Sequence, residues 1–356
     1  VESNPDFWDD GIPSAQNTEV QGAQAQVSLD RDLFLLTAGF DWVDYEIENT
    51  WLPRKTRYEN PSGFLLGKLR LLDRRLILSG GLRYDEYEVE VADPVGRTET
   101  DDRLTPRVGA AFMVMEGLKL RANYGEAFVM PGADQLAADY VAFGRRQIGN
   151  PDLEPETSWT LDAGIDLTRG ALEASLTWFT SRYKDMIQAV ATPAGDSTWE
   201  NLGRASVEGF EGTVFYDLGA WFGWSWEVRP EILAAWLTRY ENEVTGEDLL
   251  YVSDLHLAAA LTVANPGDFF ARVQASYWGP QREEDWESGL FPVPVVETGG
   301  FTVVNLSAEK TLLRSRKAGK LSARFEVKNL LDHHYDHAEG YPMPGARLYG
   351  GLVWRF

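Results

Sequence analysis

The sequence predicts an all-β fold, a transmembrane antiparallel up-and-down β-barrel. Three observations predict it. Apolar residues recur at every second position over stretches of about nine or more, the length a tilted strand needs to cross hydrocarbon, whereas strands of soluble sandwiches usually stop at about five or six. No stretch approaches about 18 uninterrupted apolar residues, so no membrane-crossing helix is predicted. Short connections alternate with long polar ones, as they do where tight turns close one rim of a barrel and long loops close the other.

Each strand follows from its own alternation, because side chains on a strand point to opposite faces with a period of two. The first strands are expected near 16–29, 33–49, 57–72 and 74–90; in the last, Leu76, Leu78, Leu82 and Tyr84 face one way and Ser79 and Arg83 the other. Next come 102–115 and 118–129, where Leu118, Leu120, Ala122 and Tyr124 oppose Lys119, Arg121 and Asn123. In 156–168, Leu161, Ala163, Ile165 and Leu167 oppose Asp162 and Asp166. In 171–189, Leu172, Ala174, Leu176 and Trp178 oppose Glu173, Ser175 and Thr177. Strands near 198–217 and 222–240 precede 250–264, where Leu255, Leu257, Ala259, Leu261 and Val263 oppose His256 and Thr262. The series closes with 268–279, 299–312, 320–336 (Leu321, Ala323, Phe325 and Val327 against Ser322, Arg324 and Glu326) and 346–356. That is about fifteen strands, an odd count where single-chain bacterial barrels close with an even one. A missed strand or an incomplete barrel is therefore expected. Short turns fall near 29–32, 72–74, 115–117, 168–170, 218–220, 265–268 and 313–319, and long connections near 50–60, 91–102, 130–156, 190–200, 241–249, 279–298 and 337–346.

Composition removes several function classes. The chain has 33 Lys and Arg against 55 Asp and Glu, a net charge of −22, so it lacks the basic footprint of a nucleic-acid binder. It contains no cysteine, which excludes disulfide scaffolds, zinc-thiolate sites and thiol nucleophiles. Its 13 Trp, 14 Tyr and 17 Phe suit the aromatic girdles of a membrane barrel. The first residues, from Val1, show no basic region followed by an apolar run; the expectation is a leader already removed, or a start inside a longer precursor.

No serine–histidine–acid order, phosphate-cradling glycine loop or paired-carboxylate motif stands out, so no enzyme and no cofactor are predicted. The four histidines are His256, His333, His334 and His337. Read as a continued strand, His333, Tyr335 and His337 share one face, which makes His333 and His337 the weak candidates for a metal or metal-chelate contact. The polar faces of the strands (Arg83, Asp85, Lys119, Arg121, Asp162, Asp166, Arg272, Gln274, Arg324, Glu326 and Lys328) are expected mostly to satisfy one another, because buried charges demand partners. Binding is expected in the long connections, where loops ride on a rigid scaffold. The candidates are Trp51, Arg54, Tyr58, Tyr140, Arg145, Arg146, Trp199, Trp286 and Tyr341. Basic groups beside aromatic rings suit an anionic, partly apolar ligand; the same rings also suit an interfacial girdle.

The motifs then carry a family resemblance. The chain ends Gly351-Leu352-Val353-Trp354-Arg355-Phe356, with Leu348, Leu352, Trp354 and Phe356 on one face. Gly351, Trp354 and Phe356 resemble the assembly signal of bacterial outer-membrane barrels. Gly149-Asn150-Pro151-Asp152-Leu153-Glu154-Pro155-Glu156 resembles a signature of TonB-dependent outer-membrane receptors. So do Tyr124-Gly125-Glu126-Ala127-Phe128 with Pro131, although Val129 stands where that family places arginine. Asn201-Leu202-Gly203-Arg204-Ala205 and then Asn329-Leu330-Leu331-Asp332 with Tyr335 follow in the family's order, with Ala346 inserted between Pro344-Gly345 and Arg347. The resemblance implies a bacterial outer-membrane receptor of about 22 strands with a plugged lumen. It further implies a TonB-type energy-coupling partner, the barrel-assembly machinery, lipid and lipopolysaccharide around the barrel, and a small-molecule chelate ligand such as a metal-siderophore or cobalamin. On this reading residues 1–356 are the barrel domain, with the plug and the first strands outside the chain. The alternative is a passive channel, or a structural barrel subunit, without energy coupling.

Overall fold

A computed structural model describes residues 15–50, 53–93, 96–142, 145–290, 292–317 and 319–356. Among them twenty strands are assigned: β1 (Gln16–Asp30), β2 (Phe34–Asn49), β3 (Lys55–Leu71), β4 (Leu76–Asp93), β5 (Arg97–Met115), β6 (Leu118–Val129), β7 (Asp139–Ala142), β8 (Arg145–Ile148), β9 (Glu156–Arg169), β10 (Leu172–Ala191), β11 (Ser197–Tyr216), β12 (Glu227–Asn242), β13 (Glu247–Asp248), β14 (Leu255–Asn265), β15 (Phe269–Trp278), β16 (Gln281–Glu284), β17 (Val295–Thr298), β18 (Phe301–Ser315), β19 (Gly319–Lys328) and β20 (Arg347–Arg355). Two short helices, α1 (Ala133–Ala137) and α2 (Leu218–Phe222), and a 3₁₀ turn (Trp286–Ser288) complete the inventory. Eighteen strands belong to one sheet, while β16 and β17 make a separate ribbon. No helix is long and apolar enough to cross a membrane.

The fifteen long strands sit where alternation placed them, within a few residues. Four boundaries differ by five residues or more: β5 begins at Arg97 instead of 102, β14 begins at Leu255 instead of 250, and two others have a visible local cause. The strand expected from 222 begins at Glu227, because Asp217 caps α2 through the Ala220 amide (3.1 Å) and Gly223 ends it in the left-handed region. The strand expected to reach 336 stops at Lys328, because Asn329 and Asp332 adopt positive φ and turn the chain away. The expectation that His333, Tyr335 and His337 share a strand face is therefore wrong: they lie in a turn-rich connection.

The structure divides into two units. The first comprises residues up to Phe112, Ala122–Leu161 and Ser181–Ala205. Here β1 to β4 form an antiparallel meander whose register runs from Gln16↔Asn49 through Ser62↔Asp85. The second comprises Met113–Arg121, Asp162–Thr180 and Ser206–Phe356. Here β12, β14, β15, β18, β19 and β20 pair in that order, all antiparallel, with a bulge between Thr311 and Leu313.

Both units are built inside-out relative to a soluble sheet. In the second unit Leu257, Leu261, Leu176 and Phe325 are 38%, 40%, 49% and 42% exposed, and in the first Leu65, Leu69 and Leu82 are exposed as well. The alternate positions hold the buried groups, among them Thr262, Ser276, Ser322 and Glu231 in the second unit and Ser62 and Asp85 in the first. A water-soluble sheet would invert this, since burying apolar area is what stabilises it. The polar face satisfies itself with ion pairs. Arg121 lies 3.4 Å from Asp162 and 3.3 Å from Asp166, and Lys119 lies 2.9 Å from Asp166. Arg83 bridges Asp41 (2.6 Å) and Asp85 (2.9 Å). Glu326 faces Arg324 at 3.6 Å and Lys328 at 3.4 Å.

Candidate functional site

In the second unit the connections 279–300 and 329–346 fold together around a cavity of about 600 Å³. Its floor begins on the polar face of the sheet. His256, Trp278 and Phe301 are cross-strand neighbours by register, so their rings meet on one face. His256 stacks on Trp278 at 4.8 Å, Trp278 on Phe301 at 5.2 Å, and Phe301 on Tyr335 at 4.6 Å. His337 stands edge-on to Trp278, Phe301 and Tyr335 at 5.5, 5.1 and 5.4 Å. Phe301 and Tyr335 line the cavity together with His333, His334 and Met343, and its carboxylates are Asp285, Glu297, Asp336 and Glu339.

Two side chains hold this arrangement. Asn329 is buried, and its amide nitrogen donates to the carbonyls of His333 (2.8 Å) and Pro344 (3.3 Å) while its amide oxygen accepts from the His333 N–H (3.0 Å). Asp332 accepts from the Ala346 N–H at 2.7 Å. From the other side, Gln281 Nε2 donates to the His337 carbonyl at 2.8 Å. The Asn329–Asp332 motif thus works as a clasp that sets where Tyr335 and His337 stand. Glu283, wholly buried, lies on the β16–β17 ribbon directly opposite Val296, a cavity residue; among the described residues its Oε1 has no hydrogen-bond partner.

The first unit carries a second clasp. α1 packs Ala133, Leu136 and Ala137 on Val89, Val91 and Leu153, with Tyr58, Ile187 and Trp199 against the cluster. The Tyr58 hydroxyl accepts from the Ala133 N–H at 3.0 Å, and Tyr45 stacks on Tyr58 at 4.5 Å. Gly149 passes so close to the backbone of Ala137 and Ala138 that a Cβ there would collide with it. Asn150 donates to the Trp199 carbonyl (2.8 Å), and Asn201 both accepts from the Glu154 N–H and donates to its carbonyl (2.8 Å each).

The candidate binding residues fall in different places. Trp51 lies outside the described residues, and for Arg145 the backbone in β8 is described. Tyr58 and Trp199 serve packing under α1. Arg146 is exposed and paired with Asp139 at 2.8 Å, and Arg54 is exposed, its backbone N–H donating to the Asp93 carbonyl (3.0 Å). Burial, with Asp134 nearby, pushes the Tyr140 phenol above its usual range. Trp286 and Tyr341 are exposed on the two connections that form the cavity. Among the described residues no three His, Asp or Glu converge to hold a metal ion; His333 and His337 instead belong to the ring cluster. Phe301, Trp278, Glu297 and Asp336 escaped the sequence reading, because only strand register and the turn after Lys328 bring them together.

Comparisons with known proteins agree with this fold. A family model described as TonB dependent receptor-like, beta-barrel matches residues 3–330. The ferric enterobactin receptor of Pseudomonas aeruginosa is 25% identical over 235 residues, covering 59% of this chain and 29% of that protein. The probable TonB-dependent siderophore receptor PirA of Acinetobacter baumannii is 25% identical over 344 residues, covering 83% and 42%. Among solved structures, that of the A. baumannii siderophore receptor PirA superposes with a TM-score of 0.74 at 19% identity, over 98% of this chain and 56% of its own. The structure of the copper transporter OprC gives 0.76 at 18% identity, over 97% and 57%. The chain therefore spans less than half the length of these curated relatives and little more than half of the solved chains.

Proposed function

This chain belongs to the TonB-dependent receptor β-barrel family, and we propose that it is the barrel portion of an outer-membrane receptor that takes up a scarce, large solute with energy delivered by a TonB-type protein. The observation that carries this reading is the inside-out sheet: leucines and aromatics of the long strands are exposed, and the charges between them are half-buried or buried and paired. Such a sheet suits acyl chains on one side and a wet lumen on the other. The short turns would then face the periplasm, and the long connections, with the aromatic cavity, would face outside.

A plug and further strands complete this receptor, in our reading, beyond residues 1–356. β1 supports that: its one described partner is β2, and every one of its residues is exposed. Such an edge offers a row of unpaired N–H and C=O groups to another strand. Gly351, Trp354 and Phe356 on β20 and just beyond it serve the assembly machinery, and the exposed apolar face meets lipid and lipopolysaccharide. The receptor performs no catalysis. The relatives' names point to an iron- or copper-bearing chelate as the class of solute.

The test is uptake of radioiron chelates by cells that express the whole receptor. Uptake is expected to stop when the proton gradient is collapsed or the TonB-type protein is deleted. Uptake that persists under both conditions favours a passive channel and defeats the energy-coupled reading.

A further inference from the structure

We propose that the cavity between the 279–300 and 329–346 connections selects a positively charged solute with flat apolar faces, such as a cationic metal chelate, and rejects an anionic one. The inference rests on the receptor reading and deepens it. It differs from the anionic ligand that Arg54, Arg145 and Arg146, which lie in other connections, would suit.

Charge is the first support. The connections 243–254, 279–300 and 329–346 together carry twelve Asp and Glu, no Lys, and a single Arg. That residue, Arg282, is paired with Glu247 at 2.6 Å. The first connection is joined to the others by the Tyr251 N–H, which donates to the Arg282 carbonyl at 2.7 Å. An anion entering this mouth would meet carboxylates, and the single arginine of these connections already has a carboxylate partner; like-charge contacts of this kind cost enough to exclude a partner. A cation would be drawn in by the same field.

The second support is the ring surface. Tyr335 lines the cavity wall with Asp336 and Glu297 and stacks on Phe301, which in turn stacks on Trp278. Aromatic faces carry negative electrostatic potential and attract cations, more strongly where water is displaced. They also suit the flat ligands of a chelate. The third support is Glu283, which is wholly buried with Oε1 unpartnered among the described residues, on the ribbon face it shares with Val296 of the cavity wall. A buried carboxylate oxygen without a donor is costly, and a cation held nearby would offset that cost. Bare-ion coordination is not what the site offers, because no three ligating side chains converge among the described residues. The solute therefore keeps its own chelating groups, and the protein reads its charge and its faces.

The test uses the full receptor chain in detergent and two probes of opposite charge: the tris(bipyridine)iron(II) dication and the tris(catecholato)iron(III) trianion. Equilibrium dialysis with iron analysis measures each. The dication is expected to be retained and the trianion to bind at least about tenfold more weakly. Raising the salt should weaken the dication, and E297Q or D336N should weaken it about five- to tenfold each. Y335A should remove the stacking part of the affinity and is a control for location. Trianion binding equal to or tighter than dication binding, and lost in Y335A, would overturn the charge selection while leaving a receptor site in place. Dication binding that ignores both carboxylate variants, or retention of neither probe, overturns it too. Proton-gradient dependence of uptake decides the receptor reading separately.

Discussion

Removing Glu231 should unfold this sheet far more readily than removing Glu231 together with its partner. Glu231 lies on β12, its side chain 3% exposed, and takes Arg272 at 2.6 Å and Arg229 at 3.0 Å. The register puts Arg229, Thr262 and Arg272 side by side across β12, β14 and β15. Without Glu231, Arg272 keeps Thr262 Oγ1 (2.9 Å) and Gln274 Oε1 (3.5 Å), two neutral acceptors for a largely buried charge. Breaking a buried pair from one side costs about 3–5 kcal/mol, because the remaining charge is left desolvated. Arg272 is 27% exposed and Arg229 42%, so water relieves part of that cost, and about 3 kcal/mol is expected for E231L. The double variant E231L/R272M removes both charges and should lie within about 1 kcal/mol of the parent, so that, with whatever R272M costs alone, the coupling is at least about 2 kcal/mol. The assay is reversible urea unfolding in lipid vesicles, followed by tryptophan fluorescence. If E231L costs less than about 1 kcal/mol, or if the two substitutions simply add, the polar face is not a set of mutually dependent pairs and the reasoning fails.

Three further outcomes follow from the same structure. L261R places a charge on the exposed apolar face in the middle of β14 and should destabilise the vesicle-inserted protein by about 2–4 kcal/mol while leaving its detergent-solubilised form intact; an equal effect in both media would remove the lipid assignment. G117A should cost about 1–3 kcal/mol by urea unfolding, because Gly117 turns at φ +79° and an added Cβ would run into the Thr168 carbonyl oxygen. N329A deletes the three hydrogen bonds that pin His333 and Pro344, so hydrogen exchange should accelerate across 330–346 and stability should fall by about 2–3 kcal/mol; unchanged exchange there would mean Asn329 is no clasp.

The strands were legible because each carries its own evidence. Period-two alternation is local, and it located β14 and β19 from their leucines and alanines without reference to any neighbour. The departures also have local causes that alternation does not report. α2 follows from a capping aspartate and a left-handed glycine inside what reads as a strand start, and the end of β19 follows from positive φ at Asn329. The site was legible only in outline. Sequence pointed to the long connections and to the histidine cluster, but Trp278, Phe301 and Tyr335 are separated by 23 and 34 residues along the chain, counting from their numbers. Only the pairing of β15 with β18 and the fold of the following connection stack them. Tyr58 and Trp199 have a structural role that their place beside charged loops does not report: both pack beneath α1.

That packing separates two roles that a motif search merges. The most recognisable stretches of the chain centre on three asparagines, Asn150, Asn201 and Asn329. Each spends an amide on backbone carbonyls in or beside a long connection: Asn150 on Trp199 in β11, Asn201 on Glu154 and on Asp185 in β10, Asn329 on His333 and Pro344. An amide both donates and accepts, so one side chain can close a loop that has no strand partners of its own. On the proposed charge selection, selectivity falls to Glu297, Phe301 and Asp336, which have no motif character, and to Tyr335, the last residue of the Asn329 motif, all set around the cavity. Changing a clasp should therefore weaken every solute alike, whereas changing a cavity carboxylate should alter which charge is accepted. A chelate-binding comparison of N329A with E297Q measures that difference directly, and equal loss for both probe charges in E297Q would place Glu297 among the clasps.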